Sequence, residues 1–209
     1  MRWLVARRNS RTANAGCHQR GHVLQSELLV FRTPTNWEMV AAVAAASDPA
    51  AQRWLGWSTD QIVPRASRKR WLAVVPGKGS DYNWSPHFPL VTIHRTKNRC
   101  SGMVTIRESE RGYEIGGWLA PQFRGRGLGP ELFRAGLIFA HDHLGIQQIY
   151  AGTEDANVTC RRALSAAGFI STDGPVTHVL PDGRTIPPCW YRHDSAETRC
   201  CQGPQPLPT

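Results

Sequence analysis

The rhythm of apolar and polar positions changes several times between residues 28 and 192, and each change marks an element. Leu28, Leu29, Val30 and Phe31 form a short apolar run that reads as a β-strand over 28–32. Thr35 and Glu38 have the spacing of a capping box, with Trp37, Val40, Ala41 and Ala44 recurring at helical intervals behind it. Asp48 followed by Pro49 opens a second helix that carries Trp54, Leu55 and Trp57. A further helix is predicted over 67–75. Residues 76–81 and the surroundings of Pro86 and Pro89 read as a long loop.

Beyond residue 90 the pattern is first strand-like and then alternates. Residues 90–94 and 103–107 predict a hairpin turning through the polar stretch 95–99, and 113–119 predicts another strand. Phe133, Gly136, Leu137, Ala140 and Leu144 share one face of a helix over 130–144. Residues 148–153 then read as a strand and 157–167 as a helix stopped by Gly168. A last hairpin, 176–180 with 186–192, should turn at Pro181, Asp182 and Gly183. This order predicts an α/β fold: one mixed, mostly antiparallel central sheet flanked by helices.

The two ends of the chain do not share these rhythms. Residues 1–25 are basic and aperiodic, and 202–209 are rich in proline, so the expected division is a disordered leader (1–25), one domain (26–194) and a disordered tail (195–209). The net charge of +9 is less informative than it looks, because Arg2, Arg7, Arg8, Arg11 and Arg20 precede the first acid, Glu27. That leader is read as solvated, with a loose contact to an anion as the alternative; aromatic residues do not interleave with its charges, so nucleic acid is not an expected partner. No apolar run could span a bilayer and residues 1–10 make a poor signal peptide, so a cytoplasmic protein is expected, with no membrane partner. The six cysteines fit neither a zinc spacing nor a disulfide framework, and His94, His141 and His143 lack metal-ligand spacing; no metal is expected.

The chemistry concentrates where a strand ending at Leu119 feeds a helix through Arg124, Gly125, Arg126, Gly127, Leu128, Gly129 and Pro130. Glycines there allow close approach of a ligand, and outward amides at a helix N-terminus form an anion cradle suited to a pyrophosphate. The Walker loop is excluded because no lysine follows Gly129, and the dinucleotide fingerprint fails because Pro130 stands where its last glycine should be.

The run Arg124-Gly-Arg-Gly127-Leu-Gly129 resembles the signature of the GNAT acetyltransferase superfamily. A second block, Asn157, Cys160, Leu164, Gly168 and Phe169, is similar to that of its ribosomal-protein N-terminal acetyltransferase (RimJ/RimL-like) branch. The resemblance is sharp over 114–169 and implies the GNAT fold, with acetyl-CoA as co-substrate and an amine acceptor as partner. It implies that the amides of 125–130 hold the CoA pyrophosphate, that the strand edge at Leu119 pairs with the pantetheine arm, and that Asn157 touches that arm. Pro130 has no N–H, so at most five amides serve.

The same resemblance implies direct attack by the amine on the thioester in a ternary complex, which leaves the protein to position, deprotonate and return a proton. Glu114 is the expected base, acting through a water; the alternative is an ordinary strand glutamate. Many relatives carry a tyrosine where this chain has Leu164, so the phenolic donor is missing. Cys160 is the candidate in its place. In the first helical turn the dipole would favour its thiolate, and the competing reading is a small residue fitting under the cofactor. Trp54 and Trp57 fall in the region that shapes the acceptor cleft and would stack on the acceptor or pack in the core. The acceptor is a peptide N-terminus or a small-molecule amine; detoxification of an amine antibiotic and a non-catalytic acetyl-CoA-binding module are the alternatives. A monomer or a homodimer is compatible with all of these.

Overall fold

Capping and glycine chemistry set the helix ends in the computed structural model, which describes residues 22–56, 63–67, 69–70 and 87–196 and the backbone of 4–7. Helix α1 (Asn36–Ala45) starts on the expected capping box: Glu38 N donates to Thr35 Oγ1 at 3.3 Å and Thr35 N donates to Glu38 Oε2 at 2.8 Å. Arg32 pairs with the same buried carboxylate. Helix α2 (Pro49–Leu55) is capped by Asp48, which accepts from Ala51 N, and it ends at Gly56 in the left-handed region, one residue before Trp57. Helix α3 (Leu128–Ile138) continues into a π-helical turn, Phe139–His143, and helix α4 (Val158–Ala167) runs from Asn157 to Gly168 at φ +104°.

The strands, in chain order, are β1 (Leu4–Arg7), β2 (His22–Gln25), β3 (Leu29–Arg32), β4 (His87–His94), β5 (Arg99–Ser109), β6 (Gly112–Leu119) and β7 (Gln148–Glu154). Then follow β8 (Ile170–Thr172), β9 (His178–Val179), β10 (Thr185–Ile186) and β11 (Pro188–Asp194). Nine of them form one sheet in the order β1-β2-β3-β4-β5-β6-β7-β11-β8, and β9 pairs with β10 apart from it. Every pairing in the large sheet is antiparallel except β6 with β7. This is the α/β architecture expected, a central and mostly antiparallel sheet flanked by helices.

The sheet starts earlier than the pattern indicated. β2 lies inside the stretch read as leader, with Leu24 fully buried, His22 7% exposed and His22 Nδ1 3.1 Å from His143 Nδ1. The final hairpin also differs, because β9 and β10 pair over two residues each while β11 leaves them to run between β7 and β8. Pro89 sits inside β4, in the region expected to be loop, and Trp37 is 46% exposed, away from the buried face of α1. The expected helix over 67–75 and the loop over 76–81 lie largely outside the described residues. Among the described residues no helix is long and apolar enough to cross a membrane.

The main core lies between the sheet and helices α3 and α4, with Phe123, Phe139, Ile106, Ile149 and Leu164 each buried to 1% or less. Two approaches there require glycine. A Cβ on Gly136 would collide with Ile115, and one on Gly129 would lie 3.0 Å from Ala163 Cβ, so Gly129 brings α3 close to α4. His141 and His143 are buried. His141 Nδ1 bonds Ile146 O at 2.5 Å, and His141 Nε2 lies 3.0 Å from His193 Nδ1.

Candidate active site

β6 keeps β5 as its neighbour over its whole length, Ser109↔Gly112 through Gly102↔Leu119. On its other edge β7 pairs only at Tyr113↔Ile149 and Glu114↔Tyr150. From Ile115 onward the two parallel strands separate, so a gap opens through the sheet. Side chains alternate across a strand, which sorts the gap into two faces. Ile115 and Gly117 lie against Gly136 and Leu132 of α3, whereas Trp118 donates from Nε1 to Ala42 O of α1 at 3.1 Å. Glu114 and Gly116 share the face of Trp118.

A cavity of about 740 Å³ occupies the gap and reaches both faces. Gly116, Gly117, Gly152, Thr153, Asn157 and Cys160 form its middle. A Cβ on Gly116 would meet nothing within 4 Å, so the strand leaves open space there. Trp54 and Leu55 of α2 close one side together with Leu180 and Ile186 beside the β9–β10 hairpin. Trp54, predicted for the acceptor cleft, is therefore on the wall, with the Arg53 guanidinium 4.6 Å from its ring centre. Trp57 lies outside the described residues.

The glycine-rich loop forms at the N-terminus of α3. Gly125 and Gly127 adopt φ +69° and +74°, conformations that strain any other residue, and a Cβ on either would point into open space. The amides of Gly125, Arg126, Gly127, Leu128 and Gly129 donate to no group among the described residues, and Pro130 occupies the third position of the helix. Five free donors at the positive end of a helix make a site for an anion. Gly129 also packs on Ala163, in the middle of α4, which brings that helix against the start of α3.

Arg124 and Leu119 have a role the sequence did not disclose. Arg124 Nε donates to Leu119 O at 2.7 Å, and its Nη1 and Nη2 donate to Asp48 Oδ1 and Oδ2 at 2.7 Å each. Arg124 thus braces the loop against the cap of α2 instead of projecting toward a ligand, and one lone pair of the Leu119 carbonyl is already taken. The guanidinium beside Asp48 holds its carboxyl below the ordinary range. No spacing rule links residues 48 and 124, so only the fold brings this pair together.

Asn157 caps α4, its Oδ1 accepting from Cys160 N at 3.2 Å, which leaves the amide end available on the cavity wall. Cys160 behaves contrary to expectation. Burial pushes its thiol up, and a hydrogen bond with Thr153 offsets this only in part. The shift is upward from an ordinary value already above neutrality, so the thiol, and not the thiolate, is the form held here. Leu164, 1% exposed, lies on the same wall.

Glu114 also lines the cavity, with a side chain 13% exposed, and its Oε2 accepts from Arg107 Nη2 at 2.8 Å. The carboxylate expected to serve as base is thus held in an ion pair with Arg107, which lines the same cavity. Sequence reasoning missed Glu154, at the C-terminal end of β7, whose Oε2 is buried and has no partner among the described residues. Its period-two relation to Gly152 was the one available signal.

A model of the acetyltransferase (GNAT) domain family matches residues 29–170. No curated protein matches the chain. Among solved structures, the chain is similar to a GNAT-family acetyltransferase from Bacillus anthracis, at 16% identity and TM-score 0.60, covering 82% of this chain and 98% of that one. It is similar to the ribosomal-protein-S5-alanine acetyltransferase of Vibrio fischeri, at 12% identity and TM-score 0.59, covering 85% and 98%. RimJ of Mycobacterium smegmatis, solved with CoA-disulfide, aligns at 17% identity and TM-score 0.56, covering 80% and 82%. At these identities the structural likenesses establish the fold.

Proposed function

The chain belongs to the GNAT acetyltransferase family and is an acyl-CoA-dependent N-acetyltransferase, and we propose that it moves the acetyl group of acetyl-CoA to a primary amine. The observation that carries the donor assignment is the run of five free amides at residues 125–129, beside a gap between parallel strands. The loop suits a pyrophosphate, and the open edge of β6 suits an extended amide chain laid along it. Asn157 would face that chain. The acceptor, a peptide N-terminus or a small-molecule amine, would enter from the side of Trp54. The free thiols of Cys100, Cys160 and Cys189 fit a cytoplasmic setting.

In the reaction two residues divide the proton transfers. Glu114, through a water, accepts a proton from the ammonium so that the amine nitrogen can attack the acetyl carbon. As the C–N bond forms and the C–S bond breaks, Cys160 supplies a proton to the departing thiolate. The acylated nitrogen gives up its second proton to solvent, which also takes the proton held by Glu114 and returns one to Cys160, so that one proton is released overall. Its raised pKa supports this role, since a donor must hold its proton at working pH.

Acetyl transfer from acetyl-CoA across a panel of peptide and small-molecule amines, read with a thiol reagent, tests the proposal. Turnover with one or more amines is the expected result. Tight acetyl-CoA binding without turnover would instead indicate a sensing module.

A further inference from the structure

We propose that Glu154 receives the positive charge of the acceptor, so that the substrate class is a primary ammonium carried on an apolar or aromatic body. The inference rests on the acetyltransferase reading and adds the acceptor's chemistry to it.

Glu154 ends β7 at the separated edge of the gap, and its side chain is 16% exposed. Its Oε2 is buried and has no hydrogen-bond partner among the described residues. A buried carboxylate oxygen without a donor costs free energy, because its lost hydration is not replaced. Its Oε1 accepts a long hydrogen bond, 3.4 Å from Nη2 of Arg53, in an ion pair whose arginine side chain is 57% exposed and can be drawn into solvent. Glu114, across the gap on β6, is by contrast already matched by Arg107 at 2.8 Å. The two strands therefore offer one satisfied carboxylate and one that is not.

The surroundings define what would satisfy Glu154. Thr153, its neighbour, points to Cys160 on the α4 side, so Glu154 points to the opposite face, where Arg53 and Trp54 of α2 lie. Trp54, Leu55, Leu180, Ile186 and Pro188 share the cavity wall with it. An ammonium brings three donors on a compact head, and its apolar body would lie against that wall. A neutral amine could donate to Oε2 but would bring no charge to match the carboxylate, and an anionic acceptor would add repulsion.

The test uses the full chain saturated with CoA, with phenethylamine as a cationic probe and aniline as a probe that is neutral at pH 7. In Glu154→Gln, calorimetric affinity for phenethylamine should fall about ten- to a hundredfold, the range for a hydrogen bond to a charged group. KM for phenethylamine should rise in step, while KM for acetyl-CoA, the melting temperature and any aniline response stay unchanged. Glu154→Asp should recover part of the affinity. Unchanged phenethylamine affinity, an equal loss for aniline, or a wild-type chain that binds no cationic amine would overturn the proposal. Glu154-dependent binding of phenethylamine in a chain that acetylates nothing would uphold it while overturning the acetyltransferase reading.

Discussion

Both terminal nitrogens of Arg124 lie 2.7 Å from the two carboxylate oxygens of Asp48, the residue that caps α2. A bidentate pair fixes orientation as well as distance, so the loop that follows Arg124 is held to the helix that carries Trp54. The wall of the acceptor side and the anion cradle are thereby positioned relative to each other.

Asp48→Asn keeps an N-cap of similar quality and removes the ion pair alone. Because Arg124 lowers the Asp48 pKa, the pair stabilises the fold above the ordinary aspartate value of 3.8 and is lost as pH falls through the lowered folded value. Thermal melts should therefore show the variant less stable than wild type at pH 7, with the gap closing below that value. A gap that persists in acid would assign the difference to something other than this carboxylate.

Gly127 combines φ +74° with open space above it. Gly127→Ala should cost about 1 kcal/mol of stability from backbone strain. Gly127→Glu adds a negative charge at the cradle and should weaken acetyl-CoA by far more than tenfold. Calorimetry on the folded variants separates the two effects, and equal affinities would place the pyrophosphate elsewhere.

Removing the charge of Glu114 tests its role as base. Glu114→Gln should lower kcat about 10²-fold at pH 7 with acetyl-CoA affinity unchanged. Full activity would leave Glu114 as the partner of Arg107 and nothing more.

Burial raises the Cys160 pKa, which makes two measurable demands. Alkylation by iodoacetamide should be slow at pH 7 and speed up only well into the alkaline range. Cys160→Ser should keep most activity, while Cys160→Ala loses about ten- to a hundredfold in kcat. Equal activity in Ser and Ala variants would mean that solvent protonates the thiolate.

Leu24 is fully buried in β2, inside the stretch whose composition suggested a leader. Leu24→Ala should lower stability by about 2–5 kcal/mol, the usual cost of emptying a core site. Denaturant unfolding checks this, and a change under 1 kcal/mol would show that β2 contributes little to the core.

Local signals were legible wherever they are self-contained. The capping box at Thr35, the Asp48–Pro49 start, the Gly168 stop and the loop at 124–130 each depend on residues a few positions apart, and each formed as read. Features made by distant segments were not legible. Basic composition concealed β2, whose place depends on β3 and on His143. β11 looked like half of a hairpin because its own turn is local, whereas its partners β7 and β8 come from elsewhere in the chain. The catalytic candidates were legible by position and not by state. The sign of the Cys160 shift and the pairing of Glu114 depend on burial and on Arg107, neither of which a motif encodes.

The separation of β6 from β7 also bears on the chain's persistence in a cell. Past Glu114 the two strands forgo the ladder that ties every other neighbouring pair in the sheet, and the seam is weakest there. A molecule that bonds both lips of the seam binds the folded chain and not the unfolded one, and at a hundred times its dissociation constant it adds about 2.7 kcal/mol of stability. Lifetime against proteolysis would then rise and fall with the supply of that molecule, making abundance a readout of its concentration.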